Sequence, residues 1–209
     1  MSRNRWTQRQ QNDPYVRAAQ EQGWRARSAF KLMELDDSDQ FLKDARVVVD
    51  LGAAPGGWCQ VVAKRIGPSG HIFGLDILPM DPIEGVNFVE GDFREAEVLA
   101  AFEAILKNKI PSGKVGVVLS DMAPNISGIG PSDQAKSIYL AELALDFAKE
   151  WLEFEGVFVV KVFQGAGFDE FLTEVRRSFK TVKVRKPKAS RPESREVYIV
   201  GRVLRPAVG

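Results

Sequence analysis

The sequence has very little cysteine or histidine and no long apolar segment. Its single cysteine, Cys59, excludes an internal disulfide framework and a cysteine-rich zinc site. Its single histidine, His71, excludes a histidine cluster around a metal, and any Ser-His triad would have to use it. No apolar stretch approaches the roughly 20 residues that a bilayer-spanning helix needs. We therefore expect neither a metal site nor a membrane partner.

Size and composition are those of an ordinary globular domain. The chain has 209 residues, of which 44% are hydrophobic and 27% charged, enough apolar surface for one buried core. The first ten residues, MSRNRWTQRQ, lack the apolar core of a secretory signal. The expectation is a cytoplasmic protein, and a single 23.2 kDa domain is most simply a monomer.

Charge is distributed unevenly along the chain. The net charge of +1 combines about +5 over residues 1–31, −11 over residues 32–179 and +7 over residues 180–209. Because Lys and Arg side chains neutralise phosphates, basic ends around an acidic centre suggest contact with a nucleic acid. The candidate RNA-facing parts are the basic loop at residues 186–192 and the N-terminal side chains Arg3, Arg5, Arg9, Arg17, Arg25, Arg27, Trp6, Tyr15 and Trp24.

Short β-branched runs alternate with helical stretches after Phe41. The predicted strands cover residues 46–51, 71–76, 86–90, 115–120, 157–163, 181–185 and 196–203. The predicted helices cover residues 56–66, 94–107, 133–152 and 168–179, and two more begin near Asp13-Pro14 and near Ser28. This order predicts an α/β fold: a mostly parallel seven-stranded sheet, helices on both faces and an antiparallel hairpin at one edge. Residues 1–40 are expected to form a basic helical arm, and residues 41–209 the main domain.

The loop after the first strand, residues 52–58, is rich in small residues. In open α/β sheets, ligands bind beyond the carboxyl ends of the strands, where glycine lets them approach the backbone. A dinucleotide motif G-x-G-x-x-G would need its middle glycine where Ala54 stands, and Pro55 removes an amide donor. The loop therefore suits a nucleoside-like cofactor without a pyrophosphate, although a plain tight turn is the alternative.

Two carboxylates follow the next two strands. Asp76 is placed to accept both hydrogen bonds of a ribose diol, and Asp92 to accept from an adenine amino group. The alternative for each is a structural one, in which the carboxylate caps a turn or a helix.

Six distinctive blocks occur in order along the chain: DLGAAPGGW, LDILPMDP, VEGDFR, SDMAPNISG, FVVKVFQG and SREVYIV. Together they resemble the FtsJ/RrmJ family of ribosomal RNA large-subunit 2′-O-methyltransferases, which have a Rossmann-like fold and use S-adenosylmethionine. The match runs from about Trp6 to Val200.

The resemblance implies a Lys-Asp-Lys-Glu tetrad with a complete match in this chain. Its members are Lys31, Asp121, Lys161 and Glu196. The resemblance also implies cofactor contacts at Gly56, Trp58, Asp76, Asp92 and Asp121. One local difference from the family pattern is Cys59, at a position where a serine would be expected.

Lys161 draws attention on physical grounds as well, because a charged side chain in an apolar strand is costly unless it is paired or functional. Our hypothesis is that Lys161, when neutral, accepts the proton of a ribose 2′-hydroxyl, whose oxygen then attacks the activated methyl group in line. Lys31 and Glu196 would position the hydroxyl, and Asp121 would orient Lys161 and touch the cofactor.

The implied function is 2′-O-methylation of a uridine in large-subunit rRNA within the assembled subunit; DNA has no 2′-hydroxyl and is excluded. Three alternatives stay open. A methyltransferase of the tRNA anticodon loop would share the tetrad. An idle RNA-binding assembly factor would not need the tetrad. A nicotinamide-dependent oxidoreductase would need the missing glycine motif.

Overall fold

The computed structural model describes residues 13–110, 112–124 and 130–206. Six helices occur in this part of the chain: α1 (Pro14–Glu21), α2 (Ser28–Asp39), α3 (Gly57–Ile66), α4 (Ala96–Lys109), α5 (Gly130–Trp151) and α6 (Phe168–Ser178). Seven strands accompany them: β1 (Val47–Leu51), β2 (His71–Asp76), β3 (Val86–Glu90), β4 (Val115–Ser120), β5 (Leu152–Phe163), β6 (Phe179–Arg185) and β7 (Glu196–Leu204). None of these helices is both long and apolar enough to cross a bilayer.

The seven strands form one sheet in the order β3-β2-β1-β4-β5-β7-β6. The first five strands are parallel, whereas β7 runs antiparallel between β5 and β6. The chain order reverses between β1 and β4, and the carboxyl ends of these strands meet there. A hydrogen bond of 3.2 Å from the amide of Asp121 to the carbonyl of Leu51 joins the two ends. This reversal point is where an open α/β sheet binds its ligands.

Each face of the sheet is covered by a separate apolar core. Helices α4, α5 and α6 cover one face, and helices α2 and α3 cover the other. Because side chains alternate along a strand, Val157 and Val159 of β5 point to the face of α2 and α3. Lys161 has the same parity, so the strand directs it towards that helical pair.

The predicted fold class and the edge hairpin are confirmed. The predicted ranges of β2, β3 and β4 agree with the structure residue for residue. Helix α5 begins at Gly130 rather than Asp133, since Pro131 is tolerated in a first helical turn. Strand β5 begins at Leu152 rather than Val157: Leu152 pairs with Val115, and an irregularity precedes the pairing of Val117 with Val157.

Candidate active site

A loop between β1 and α3, residues 52–56, is held against the end of β2 by Asp76. The Asp76 carboxylate accepts the amide of Ala54 at 2.9 Å and the amide of Leu78 at 2.8 Å. This is the turn-capping geometry that was the alternative for Asp76. Each carboxylate oxygen has a further lone pair, so the capping bonds are compatible with acceptance from a ligand hydroxyl.

Two glycines of this loop have backbone angles that side chains rarely adopt. Gly52 has φ +82°, and a Cβ there would lie 2.9 Å from Cγ of Met122. Gly56 has φ +107°, and a Cβ there would lie 2.6 Å from the Cδ1 of Ile83. Neighbouring protein atoms therefore occupy the space where a Cβ would lie, so only glycine fits this tightly packed turn between the strand ends.

Asp92, after β3, is already engaged. The Arg94 side chain donates to both of its carboxylate oxygens, and the Arg94 amide donates to Oδ1 at 2.9 Å. Hydrogen bonding by Arg94 holds the pKa of Asp92 below its usual value. Asp92 does not cap α4, whose N-cap residue is Glu95. The carboxylate is thus ionised and partly exposed at the sheet edge where an amino group could approach.

The Trp58 side chain lies inside the protein. It is 3% exposed, its indole N–H donates to the carbonyl of Ser28 at 2.8 Å, and its ring packs against Tyr198. A cofactor contact at this position would therefore have to come from the backbone amide in the first turn of α3, which has no intrahelical acceptor.

The four tetrad side chains form two ion pairs. Lys161 Nζ lies 3.1 Å from Asp121 Oδ1 and donates to the backbone carbonyl of Asp121 at 2.6 Å. Lys31 Nζ, from α2, lies 2.5 Å from Glu196 Oε1. Their side chains are between 9% and 18% exposed, so solvent screens these pairs far less than surface pairs.

The two pairs meet around Tyr198, a residue that the sequence reasoning missed. Lys161 pairs with Tyr198, and Phe163 with Glu196, across β5 and β7, which places these side chains on one face. The Tyr198 hydroxyl donates to Asp121 Oδ1 at 2.8 Å, and Lys31 Nζ lies 5.9 Å from the centre of its ring. The signal was available: residues two apart in a strand share a face, and Glu196 was already a candidate.

Tyr198 is fully buried, and burial raises the pKa of its hydroxyl well above the usual value. The negative charges of Asp121 and Glu196 act in the same direction. The hydroxyl therefore stays protonated and remains a donor to Asp121 near neutral pH.

The basic loop at residues 186–192 is held in place by α2. Glu34 accepts the amides of Lys188 and Ala189 at 2.5 and 3.0 Å, and Arg27 donates to the carbonyl of Ala189. Since α2 also carries Lys31, one helix sets both the tetrad and the loop. The backbone of the loop is thus attached to the helix that carries Lys31.

Part of the C-terminal positive charge is neutralised within the protein. The buried carboxylate of Asp39 accepts from Lys183 at 2.7 Å and from Arg185 at 2.8 Å. These bonds hold the pKa of Asp39 at about 2, although burial alone would raise it. Lys183 and Arg185 therefore join β6 to the end of α2, which the charge count alone could not indicate.

The N-terminal aromatics within the described range are mostly used for packing. The Tyr15 ring packs against Phe30, and Lys64 Nζ lies 4.1 Å from the centre of the Trp24 ring. Trp6, Arg3, Arg5 and Arg9 lie outside the described residues. Within residues 13–110, 112–124 and 130–206, no group of three or more His, Cys, Asp or Glu side chains could hold a metal ion.

Comparisons with known proteins agree with this geometry. The sequence model of a family described as FtsJ-like methyltransferase matches residues 24–204. A ribosomal RNA large subunit methyltransferase E from Dechloromonas aromatica is 54% identical over 200 residues, which cover 96% of each chain. The protein of that name from Azoarcus sp. is 54% identical over 98% of this chain and 100% of its own length.

A solved structure also resembles this fold. The crystal structure of a ribosomal RNA methyltransferase from Plasmodium falciparum superposes with a TM-score of 0.78 at 30% sequence identity. The superposition covers 87% of this chain and 98% of the other. The similarity thus extends over nearly the whole length of the curated relatives and of the solved protein.

Proposed function

The chain belongs to the FtsJ-like methyltransferase family, and from this we propose that it methylates the 2′-oxygen of a uridine ribose in large-subunit rRNA, with S-adenosylmethionine as the methyl donor. The observation that carries the proposal is the pair of buried lysine–carboxylate contacts at the sheet edge where the parallel strands end. The names of the relatives support the class of RNA.

The loop at residues 52–56 fits a methyl donor that carries a nucleoside. Gly56 and the amide of Trp58 would face its amino-acid part, Asp76 its ribose diol, and Asp92 its adenine amino group. Gly52 and Gly56 allow the tight backbone turn of this loop, against which Met122 and Ile83 pack. S-adenosylmethionine would supply a methyl group activated by a positive sulfur, so the protein's main task is alignment.

Lys161 is proposed to take the proton of the 2′-hydroxyl. A lysine is ordinarily protonated at neutral pH, so only its neutral form can accept that proton. Asp121 fixes the position of Nζ through its carboxylate and its backbone carbonyl. Lys31 and Glu196, paired with each other, would hold the ribose hydroxyl in reach of Lys161.

The RNA would dock on the basic loop at residues 186–192 and on the helical arm, residues 1–40. Two features support this: the loop backbone is held by Glu34 and Arg27, and Glu34 lies on the same helix as Lys31. We propose large-subunit rRNA within the assembled ribosomal subunit as the substrate, and a monomeric, cytoplasmic enzyme.

The test uses labelled S-adenosylmethionine with purified protein. Large subunits that lack their own methylation, free rRNA and bulk tRNA are offered separately, and any label is mapped. Label on a uridine ribose of the subunit rRNA is expected. Label mainly on tRNA would overturn the substrate and keep the chemistry, whereas no label on any RNA would contradict the proposed activity.

A separate binding measurement tests the cofactor. A ligand that binds only the folded state raises the unfolding temperature. S-adenosylmethionine is expected to raise it and NAD to leave it unchanged. Stabilisation by NAD alone would instead favour an oxidoreductase.

A further inference from the structure

Arg25 lies in the segment that joins α1 to α2, and its guanidinium contacts the protein backbone at three places. Nη1 donates to the carbonyl of Pro55 at 3.2 Å and to the carbonyl of Asp81 at 2.5 Å. Nη2 donates to the carbonyl of Pro82 at 2.9 Å. One side chain of the arm therefore joins the loop after β1 to the segment after β2.

The same two segments are also joined by Asp76. Its carboxylate holds the amides of Ala54 and Leu78. Asp76 and Arg25 thus clamp the same pair of segments at two separate points. The contacts frame a cavity of about 450 Å³ lined by Arg25, Pro55, Pro79, Met80, Asp81 and Pro82.

Gly56 lies directly beside the Arg25 guanidinium and the Met80 side chain. A Cβ at Gly56 would lie 2.9 Å from the Met80 sulfur and 3.2 Å from Arg25 Nη1. Arg25 and Met80 therefore pack directly over the left-handed turn that leads into α3. A change in the position of Arg25 would alter the turn on which the first amides of α3 depend.

The backbone around Arg25 is fixed as well. Its amide donates to Oε1 of Gln60 at 2.8 Å, and Nε2 of Gln60 donates to the carbonyl of Gly23 at 3.1 Å. Gln60 lies in α3, just after the loop. The segment that carries Arg25 is consequently attached to α3 and cannot move independently of it without breaking these bonds.

We propose that Arg25 is a positioning residue for the loop after β1, residues 52–56. Its guanidinium holds this loop and the segment after β2 at the spacing that binds S-adenosylmethionine. The inference rests on the proposed function. It gives Arg25 a role different from the RNA contact that the charge pattern suggested, since the nitrogens bound to three carbonyls are not free for a phosphate.

The test compares Arg25→Ala and Arg25→Lys with Arg17→Ala, a control that removes an exposed arginine of the same arm. The dissociation constant of S-adenosylmethionine is measured by calorimetry without RNA. Steady-state assays then give KM for donor, KM for RNA and kcat. Unfolding curves confirm that each variant is folded at the assay temperature.

Arg25→Ala is expected to weaken donor binding about tenfold, the effect of losing hydrogen bonds from one charged group, and to raise the donor KM with kcat retained at saturation. Arg25→Lys should show an intermediate loss of donor affinity, because a single ammonium cannot bond the separate carbonyls as the planar guanidinium does. Added guanidinium chloride, compared with equal sodium chloride, should restore part of the affinity in Arg25→Ala only.

The inference would be overturned in favour of a phosphate contact if Arg25→Ala bound the donor as wild type does and had a raised KM for RNA. In that case the slope of log RNA affinity against log salt concentration should also fall by about one. Loss of donor affinity in Arg17→Ala as well would also overturn it, since the effect would then be one of charge. A wild-type protein that binds no S-adenosylmethionine would overturn the proposed function itself.

Discussion

At the scale of single residues, Asp50 is a buried carboxyl with one weak partner. It lies in β1, is 0% exposed, and accepts only the thiol of Cys59, at 3.3 Å, among the hydrogen bonds of the described residues. Burial raises the pKa of Asp50 to about 7; the Cys59 hydrogen bond opposes this shift, and the charges of Asp121 and Asp76 add to it. Burial also raises the pKa of the Cys59 thiol, which therefore acts as a donor.

This shift makes stability depend on pH with a definite sign. Between pH 4 and pH 7 the folded protein keeps a proton on Asp50 that the unfolded chain has lost. The contribution of Asp50 is therefore complete below about pH 4 and is lost as pH rises through 7. Asp50→Asn cannot ionise at this position. Its free energy of unfolding, relative to that of wild type, should therefore rise by roughly 3 kcal/mol from pH 5 to pH 8.

Urea unfolding at both pH values measures this difference. The exposed carboxylate variant Asp37→Asn serves as the matched control and should show no comparable change. A difference between Asp50→Asn and wild type that stays constant with pH would show that Asp50 is ionised in the folded protein throughout.

Tyr198 allows a second prediction at this scale. Tyr198→Phe keeps the ring against Trp58 and removes only the hydrogen bond to Asp121. Because that bond helps to fix the carboxylate beside Lys161, kcat should fall about tenfold, while the unfolding temperature changes little. Tyr139→Phe, on the exposed side of α5, is the control. A wild-type kcat in Tyr198→Phe would show that the Tyr198 hydroxyl does not contribute to catalysis.

At the scale of elements, α2 connects the candidate catalytic groups to the basic edge of the sheet. Lys31 reaches Glu196 at the start of β7, Glu34 holds the basic loop, and Asp39 binds Lys183 and Arg185 of β6. These contacts occur at successive turns of one helix. The position of the loop proposed to face RNA is therefore set by the same element that supplies Lys31.

Glu34→Ala should loosen that loop without disturbing the donor site. The amides of Lys188 and Ala189 would lose their acceptor, so the loop would pay more conformational entropy on binding RNA. We expect the KM for RNA to rise about fivefold to tenfold and the KM for S-adenosylmethionine to stay unchanged. Steady-state assays with Glu97→Ala, an exposed glutamate of α4, supply the control. An equal RNA KM in both variants would contradict the loop's role.

At the scale of the whole molecule, the sequence predicted the architecture well because its signals are local. The strands 71–76, 86–90 and 115–120 are short apolar runs between turn residues, and their ends already placed Asp76, Asp92 and Asp121 at one edge. The irregular start of β5 was missed, since it depends on the pairing of Leu152 with Val115.

The intramolecular uses of charged groups could not be predicted from local patterns. Asp39 and Lys183 are 144 residues apart, and only the fold brings them together. The net charge of the C-terminal segment therefore overstates what is available to RNA. Arg25 is similar, because its carbonyl partners lie 30 to 57 residues away.

The most direct test of the central claim is to identify the modified atom and the side chain it requires. Large subunits are incubated with S-adenosylmethionine and wild type or Lys161→Ala, and nucleosides from the digested rRNA are analysed by mass spectrometry. Wild type should produce 2′-O-methyluridine at one site, and Lys161→Ala should bind the donor normally yet form product at least about a hundredfold more slowly. A methyl group on a base, or wild-type turnover by Lys161→Ala, would contradict the account.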